Sequence, residues 1–410
     1  MKKNAMVLLF AAVLLSFLFL AGGKGGEETD WLALDFVEIE DAARSTTISW
    51  YMWGGSAVIN EWVDSYVGGE LKRRYAITLD RVPMDASIFV NKLLTEKQAG
   101  KERGTMDLLW INGENFKNAM EAGLLFGPFS EKLPNFLRYV DEDTVAYDFG
   151  YPTRGYEAPY GRAQFVFEYD RARMEEPPDT FKKLLDWVEK NPGRFIYPQP
   201  PDFTGSAFIR QALYAVTGGH EQYMHGFDQS LFELNVVRLW DYLNRMKPYL
   251  WQEGKSYPKD VATLDTLFAR GEVDLNMTYH QAHAQNSILS GLYPDTVRSF
   301  VMKDGSIYNT HFVAIPFNAP NKAGALVTAN LLLSVEAQAS KNDPENWGDF
   351  TVLDMGRLSE EERAVFESIV LGEAVLGLDV LSKYAVAEIP SPYLEALEAG
   401  WEEEVLRKQP

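Results

Sequence analysis

The sequence predicts an α/β protein of two lobes, each a mostly parallel sheet flanked by helices, joined by two hinge strands and closed by C-terminal helices. Strand-like and helix-like segments alternate at a period of about thirty residues, the pattern of right-handed crossovers. Two longer alternating segments, "PYGRAQFVFEYD" and "NTHFVAIPFNAPNKAG", suit strands that cross between lobes. At 410 residues and 46% hydrophobic content, the chain can bury more than one core.

In chain order, "TTISWYMW" alternates Ile48, Trp50 and Met52 with Ser49, Tyr51 and Trp53, a strand broken by Gly54 and Gly55. Ile59, Trp62, Val63 and Tyr66 then recur at helical spacing. "AITLDRVPM" repeats the strand, and Asp85 can cap a helix over "DASIFVNKLLTEKQAG" that Gly100 stops. "MDLLWI" is a buried strand, followed by a short helix in "NGENFKNAMEAG". In the second lobe, Phe181, Leu184, Leu185 and Val188 form a helical stripe and "RFIYP" reads as a strand. Next come a helix in "TGSAFIRQALYAV", a helix in "DVATLDTLFARG", a strand in "EVDLNMTY" and the polar run "HQAHAQNSI". "LSEEERAVFESIV" and "SPYLEALEAGWEEEVL" are the closing helices. The expected division is a signal segment at 1–23, a polar linker at 24–44, a first lobe at 45–162 plus 313–345, a second at 163–312, and C-terminal helices at 346–410.

A net charge of −20, with no Lys/Arg cluster interleaved with aromatics to set against it, disfavours nucleic acid as a partner. The absence of cysteine excludes disulfides, thiolate metal sites and a cysteine nucleophile. The start, "MKKNAMVLLFAAVLLSFLFLAGG", has the basic and apolar regions of a secretory signal, which predicts a periplasmic or otherwise extracytoplasmic protein. Gly23 stands where a lipoprotein signal requires cysteine, so lipidation is not expected.

The chemistry is expected at strand-to-helix junctions, where helices present unpaired N–H groups and the positive ends of their dipoles. Trp53, Gly54, Gly55 and Ser56 form one such junction, Asp85 a second, and Trp110, Asn112, Glu114 and Asn115 a third. Thr204, Gly205 and Ser206 repeat the Gly-Ser-Ala device in the second lobe, so the two helix starts are expected on opposite walls of a cleft. Ordinary N-caps would give the same local pattern. Tyr279, His280 and Gln281 follow a strand, and Tyr308, Asn309 and His311 precede the second crossing strand, where a hinge can lend side chains to a ligand.

With these residues in hand, "YMWGGSAVINEWVD", "MDLLWINGENFKNAMEAGLLFGPFSEKLPNF" and "HFVAIPFNAPNKAGALVTANLLLS" resemble the YnjB-type solute-binding components of ABC transporters, within the maltose-binding-like extracellular solute-binding family 1. The similarity covers nearly all of the chain after its signal. The resemblance implies a type II periplasmic-binding-protein-like fold, no cofactor, and a monomeric receptor that hands a small polar organic solute to a membrane permease. Gln281 stands where sugar-binding relatives have tryptophan, which argues against stacked maltodextrins. Thiamine-type relatives sandwich a cationic aromatic ligand, which Trp53, Trp110 and Tyr279 with Glu114 or Asp85 would reproduce here.

The rival readings are weaker. No nucleophile elbow, P-loop, dinucleotide-binding turn or zinc-protease motif is present. A secreted carbohydrate-acting enzyme would need a carboxylate pair, for which Glu114 or Asp85 supplies half. His280 and His283 could ligate a metal, but no third ligand stands near them in sequence.

Overall fold

A computed structural model describes residues 29–407. The N-terminal apolar run, and the expectation of a cleaved signal at 1–23, lie outside the described residues.

Strands β1 (Thr47–Met52), β2 (Thr78–Pro83) and β3 (Leu108–Ile111) pair in parallel in the order β2-β1-β3. Helices fill the connections, at Ala57–Tyr75 with a π turn inside it, at Ala86–Gln98 and at Gly113–Glu121. Period-two alternation sends Trp50 and Met52 to one face and Tyr51 to the other. The first face packs on the apolar helix Lys322–Leu332, and the second on Phe89, Leu93 and Phe116.

Short strands β4 (Leu125–Phe126), β5 (Tyr147–Asp148) and β6 (Tyr151–Pro152) precede the first crossing. There β7 (Glu157–Gln164) lies in the first sheet, and β8 (Val166–Asp170) in a second sheet with β9 (Leu275–Thr278) and β10 (Val297–Phe300). The second crossing is β11 (Ser306–Pro316), antiparallel to both β7 and β3. The short β12 (Ala385–Val386) adds to its start at Ser306 and Ile307. The core of the second lobe surrounds the helix Phe203–Thr217 and includes Phe181, Leu184, Leu185 and Val188, the expected stripe.

The expected two-sheet α/β class is what folds, with three local departures. The second sheet is antiparallel, in the order β10-β8-β9, where mostly parallel pairing was expected. The crossing strand β8 enters between β9 and β10 running against both, which separates two strands that would otherwise pair in parallel. "RFIYP" is not a strand: Phe195, Ile196 and Tyr197 are fully buried but irregular. Their neighbours make isolated bonds, Trp251 N–H to the Phe195 carbonyl and Asp274 N–H to the Arg194 carbonyl, so no ladder forms. The presumed linker at 24–44 contains a helix, Phe36–Ala43, closed by an Asp35–Glu38 capping box. Its Ile39 and Ala43 are buried in the first-lobe core, so that stretch belongs to the lobe.

Candidate functional site

Three of the helix starts that were expected to offer free amides already have one or more of them bonded. Ser56 accepts from the Ile59 amide at 3.4 Å, an N-cap of its own helix. Asp202 Oδ1 accepts from the amides of Thr204 (3.0 Å) and Gly205 (2.9 Å). The Gly113 amide gives its bond to Asp148 Oδ2 at 2.5 Å. Asp148 is buried beneath that helix start, and desolvation pushes its carboxyl well above the usual range despite the Gly113 bond. Asp85, by contrast, gives no side-chain cap to the helix Ala86–Gln98.

The glycines of both Gly-Ser-Ala stretches are explained by packing. A Cβ on Gly54 would lie 2.6 Å from the Pro83 side chain, and one on Gly55 would lie 2.2 Å from the Trp53 ring. A Cβ on Gly205 would meet the Pro198 carbonyl oxygen at 2.0 Å. Asn60 Nδ2 donates to the Gly54 carbonyl, which closes the first turn. Trp53 itself is 41% exposed, and Asp85 is exposed at the cap position of the helix Ala86–Gln98. Gly54, Gly55, Ser56 and Asp85 stay with their own turns.

The structure does bring Glu114, Ser206 and Tyr279 together, around a residue the sequence reading passed over. Arg210, fully buried on the helix Phe203–Thr217, forks onto Glu388 through Nε (2.9 Å) and Nη2 (2.8 Å). Its Nη1 donates to Ser206 Oγ at 2.6 Å, and Ser206 Oγ donates to Glu398 Oε1 at 2.5 Å. The Tyr279 hydroxyl donates to Glu388 Oε1 at 2.8 Å. Phe149 and Phe203 place their rings 5.8 Å from the guanidinium carbon, and Phe203 lies 5.1 Å from the Tyr279 ring. Burial opposes the charge on Arg210, and the Glu388 carboxylate more than offsets it, so the guanidinium pKa is raised.

Glu114 reaches this network from the first lobe. Desolvation, then the charge of Glu395, pushes its carboxyl up, while Arg210 works the other way. Desolvation drives Glu398 to about 7, with Glu114 adding to the rise and Ser206 and Arg210 opposing it. The helix Ser391–Trp401 carries Glu395 and Glu398 and packs against both Phe203–Thr217 and Gly113–Glu121. It therefore touches elements from both lobes. Asn115 is half-buried on Gly113–Glu121, and Thr204 is buried in the first turn of Phe203–Thr217.

A second group gathers on the hinge. Strand β3 stops pairing with β11 at Ile111–Phe312, so residues 309–311 lie beyond its end, where Asn112 leads into the helix Gly113–Glu121. Asn309 faces Ala163 on β7, and it is buried with neither Oδ1 nor Nδ2 partnered among the described residues. His311 faces Gly161 and approaches Asp349 at 3.3 Å, and Asp349 binds Lys341 at 2.7 Å. Trp110 meets His311 edge-on at 5.0 Å and Tyr160 at 5.6 Å, so its ring is committed to this aromatic cluster. Desolvation, then the charge of His283, pushes His280 down to about 3, so its imidazole is neutral. Gln281 is fully buried as a brace between lobes. Its Oε1 accepts from the Gln164 amide, and its Nε2 donates to the Arg162 and Gly348 carbonyls.

Arg210 was visible as one basic residue inside the apolar run "SAFIRQALYAV", four residues after Ser206. Glu388 and Phe149 carried no local signal, because the partners they meet, Arg210 for both and Tyr279 for Glu388, are far from them along the chain. Trp53, Trp110 and Tyr279 do not converge into a sandwich. Trp110 faces His311, while Tyr279 faces Phe203 and Glu388. Among the described residues no group of three His or acidic side chains is placed to hold a metal ion. His283 instead sits between Glu168 (2.9 Å) and Asp265 (3.4 Å). No described helix is long and apolar enough to cross a membrane.

The sequence and the fold are similar to those of known proteins. Protein YnjB of Escherichia coli (strain K12) is 43% identical over 339 residues, spanning 82% of this chain and 87% of that protein. A putative spermidine/putrescine ABC transporter protein from Listeria monocytogenes superposes with a TM-score of 0.61 at 17% identity, covering 87% of this chain and 98% of its own. The periplasmic binding protein AfuA from Actinobacillus pleuropneumoniae, with exogenous fructose-6-phosphate bound, gives 0.62 at 16% identity, over 88% and 99%. At such identities the structural matches speak for the fold. The profile of the bacterial extracellular solute-binding proteins matches residues 70–343, and with the YnjB similarity this shows that the chain belongs to that family.

Proposed function

We propose that this solute-binding protein serves an ABC importer, capturing a small polar organic solute between its lobes and delivering it to a membrane permease. It does so as a monomer, without catalysis and without a partner nucleic acid. The apolar segment at 1–23 directs export and is removed, which agrees with an extracellular solute-binding family. The lobes divide near the crossings β7–β8 and β11, and closure about these strands commits the solute.

The observation that carries this reading is Asn309. Its amide is buried on a crossing strand with both ends unpartnered, although an unmet buried amide costs about 1–3 kcal/mol. A solute that met both ends would recover that cost only in the closed form, which is what a closing receptor requires. Trp53, exposed at the end of β1, and Glu114, at the meeting of three helices, supply further contacts. The neutral His280 borders the same hinge, as does His311 beside Asp349.

Native mass spectrometry of the gently purified full chain tests this. A small molecule retained by the unmodified protein and lost from Asn309→Ala supports the reading. A chain that retains nothing, and gives no heat with any member of a polar metabolite panel, overturns it.

A further inference from the structure

The carboxylate of Glu388 is received as a bound ligand's would be. Four donors converge on it: Arg210 Nε and Nη2, the Tyr279 hydroxyl, and the Ile389 amide at 3.3 Å. The side-chain donors belong to the second-lobe wall, on the helix Phe203–Thr217 and just past β9. Arg210 has holds besides Glu388. Ser206 fixes the third guanidinium nitrogen and is itself fixed by Glu398, while Phe149 and Phe203 flank the guanidinium.

Glu388, by contrast, arrives on a strap outside that wall. The strap begins at the two-residue strand β12 on the hinge strand β11. It is fastened by the Tyr214 hydroxyl to the Ala387 carbonyl, and ends where the Ser391 amide donates to the Phe149 carbonyl in the β5–β6 turn. It thus runs from the hinge, across the second-lobe wall, to a turn attached to the first lobe.

Buried ion pairs of this kind add little net stability, because desolvating both ions cancels most of their attraction, whereas removing one partner strands the other. A planar guanidinium with a flanking hydroxyl is nevertheless a strong two-point receptor for carboxylates. We propose that Arg210 and Tyr279 form a carboxylate-binding site whose resident occupant is Glu388, so that the strap closes this wall of the cleft to anionic solutes. A solute's own carboxylate finds the one fully buried guanidinium of the wall already matched, and meets Glu114 and Glu398 beside it. Solutes accepted by the closed form are therefore neutral or cationic where they touch this wall. The proposal takes its meaning from the receptor reading, but its test needs no solute.

The test uses Glu388→Gly and Glu388→Gln in the full chain, with formate and acetate as probes and sodium chloride at equal ionic strength as control. In Glu388→Gly the vacated fork takes up formate or acetate, and the melting temperature, lowered by the substitution, recovers saturably at millimolar concentrations. The unmodified protein and Glu388→Gln, whose sites remain filled, show no such recovery. If Glu388→Gly does not fold from the start, refolding yield reads the same question: it rises with formate and not with chloride. A Glu388→Gly chain indifferent to both carboxylates overturns the proposal, as does an equal response from all three proteins. A protein that retains no solute but passes this test would count against the receptor reading alone.

Discussion

Gly205 lies against the carbonyl oxygen of Pro198, with only 2.0 Å between that oxygen and the position a Cβ would take. The start of the helix Phe203–Thr217 is thereby seated directly on the irregular, buried segment 195–198. A backbone carbonyl cannot swing aside as a side-chain tip can, so Gly205→Ala is expected to destabilise by about 1–3 kcal/mol. Chemical denaturation checks this. An unchanged midpoint would show that the helix start is not so tightly seated.

Asn309→Ala removes an amide that no described residue satisfies. Its stability is expected to hold or rise slightly, while solute affinity falls by about tenfold or more, the worth of one buried hydrogen bond or two. Isothermal titration alongside thermal melting separates the two effects. A loss of stability with unchanged affinity would make Asn309 a structural residue.

The two candidate tryptophans should behave differently. Trp53 is 41% exposed, so Trp53→Ala is expected to leave the melting temperature nearly unchanged and to weaken solute binding by roughly 1–3 kcal/mol. Trp110 packs edge-on against His311 and Tyr160. Trp110→Ala is therefore expected to destabilise the fold by about 3 kcal/mol or more, as read by denaturation of each variant.

Gln281→Ala strands the Gln164 amide and the Arg162 and Gly348 carbonyls at the crossing. The expected cost is about 2 kcal/mol or more. Faster hydrogen exchange at residues 162–164 is the local signature. Unchanged exchange there would mean that water replaces the brace.

Glu398 gives a pH dependence of defined sign. It is hydrogen-bonded to Ser206 and also faces Glu114, Glu395 and Arg210. Its folded pKa of about 7 stands above the ordinary glutamate value of 4.5, so between those two values the folded chain keeps a proton that the unfolded chain has shed. The contribution of Glu398 to stability is full below that window and declines as pH rises through it. Glu398→Gln is expected to flatten this slope between pH 5 and 8. A slope identical in both proteins would assign the effect to other groups.

The sequence by itself determined the alternation of strands and helices, the two crossings and the apolar faces, because period two and period 3.6 are local properties of the chain. It also placed candidate ligand residues at strand ends, Glu114, Ser206 and Tyr279 among them, but not the Arg210 they surround. Only the tertiary structure decided what those positions do. The Gly-Ser-Ala starts are capped by Ser56 and Asp202, their glycines answer to the Trp53 ring and the Pro198 carbonyl, and Gln281 braces the hinge. Glu388 meets Arg210 from 178 residues away, and β8 enters the second sheet antiparallel. The physical reason is the same throughout: whether a donor is free, or a glycine is required, depends on groups distant in the chain that reach it only when the lobes are folded.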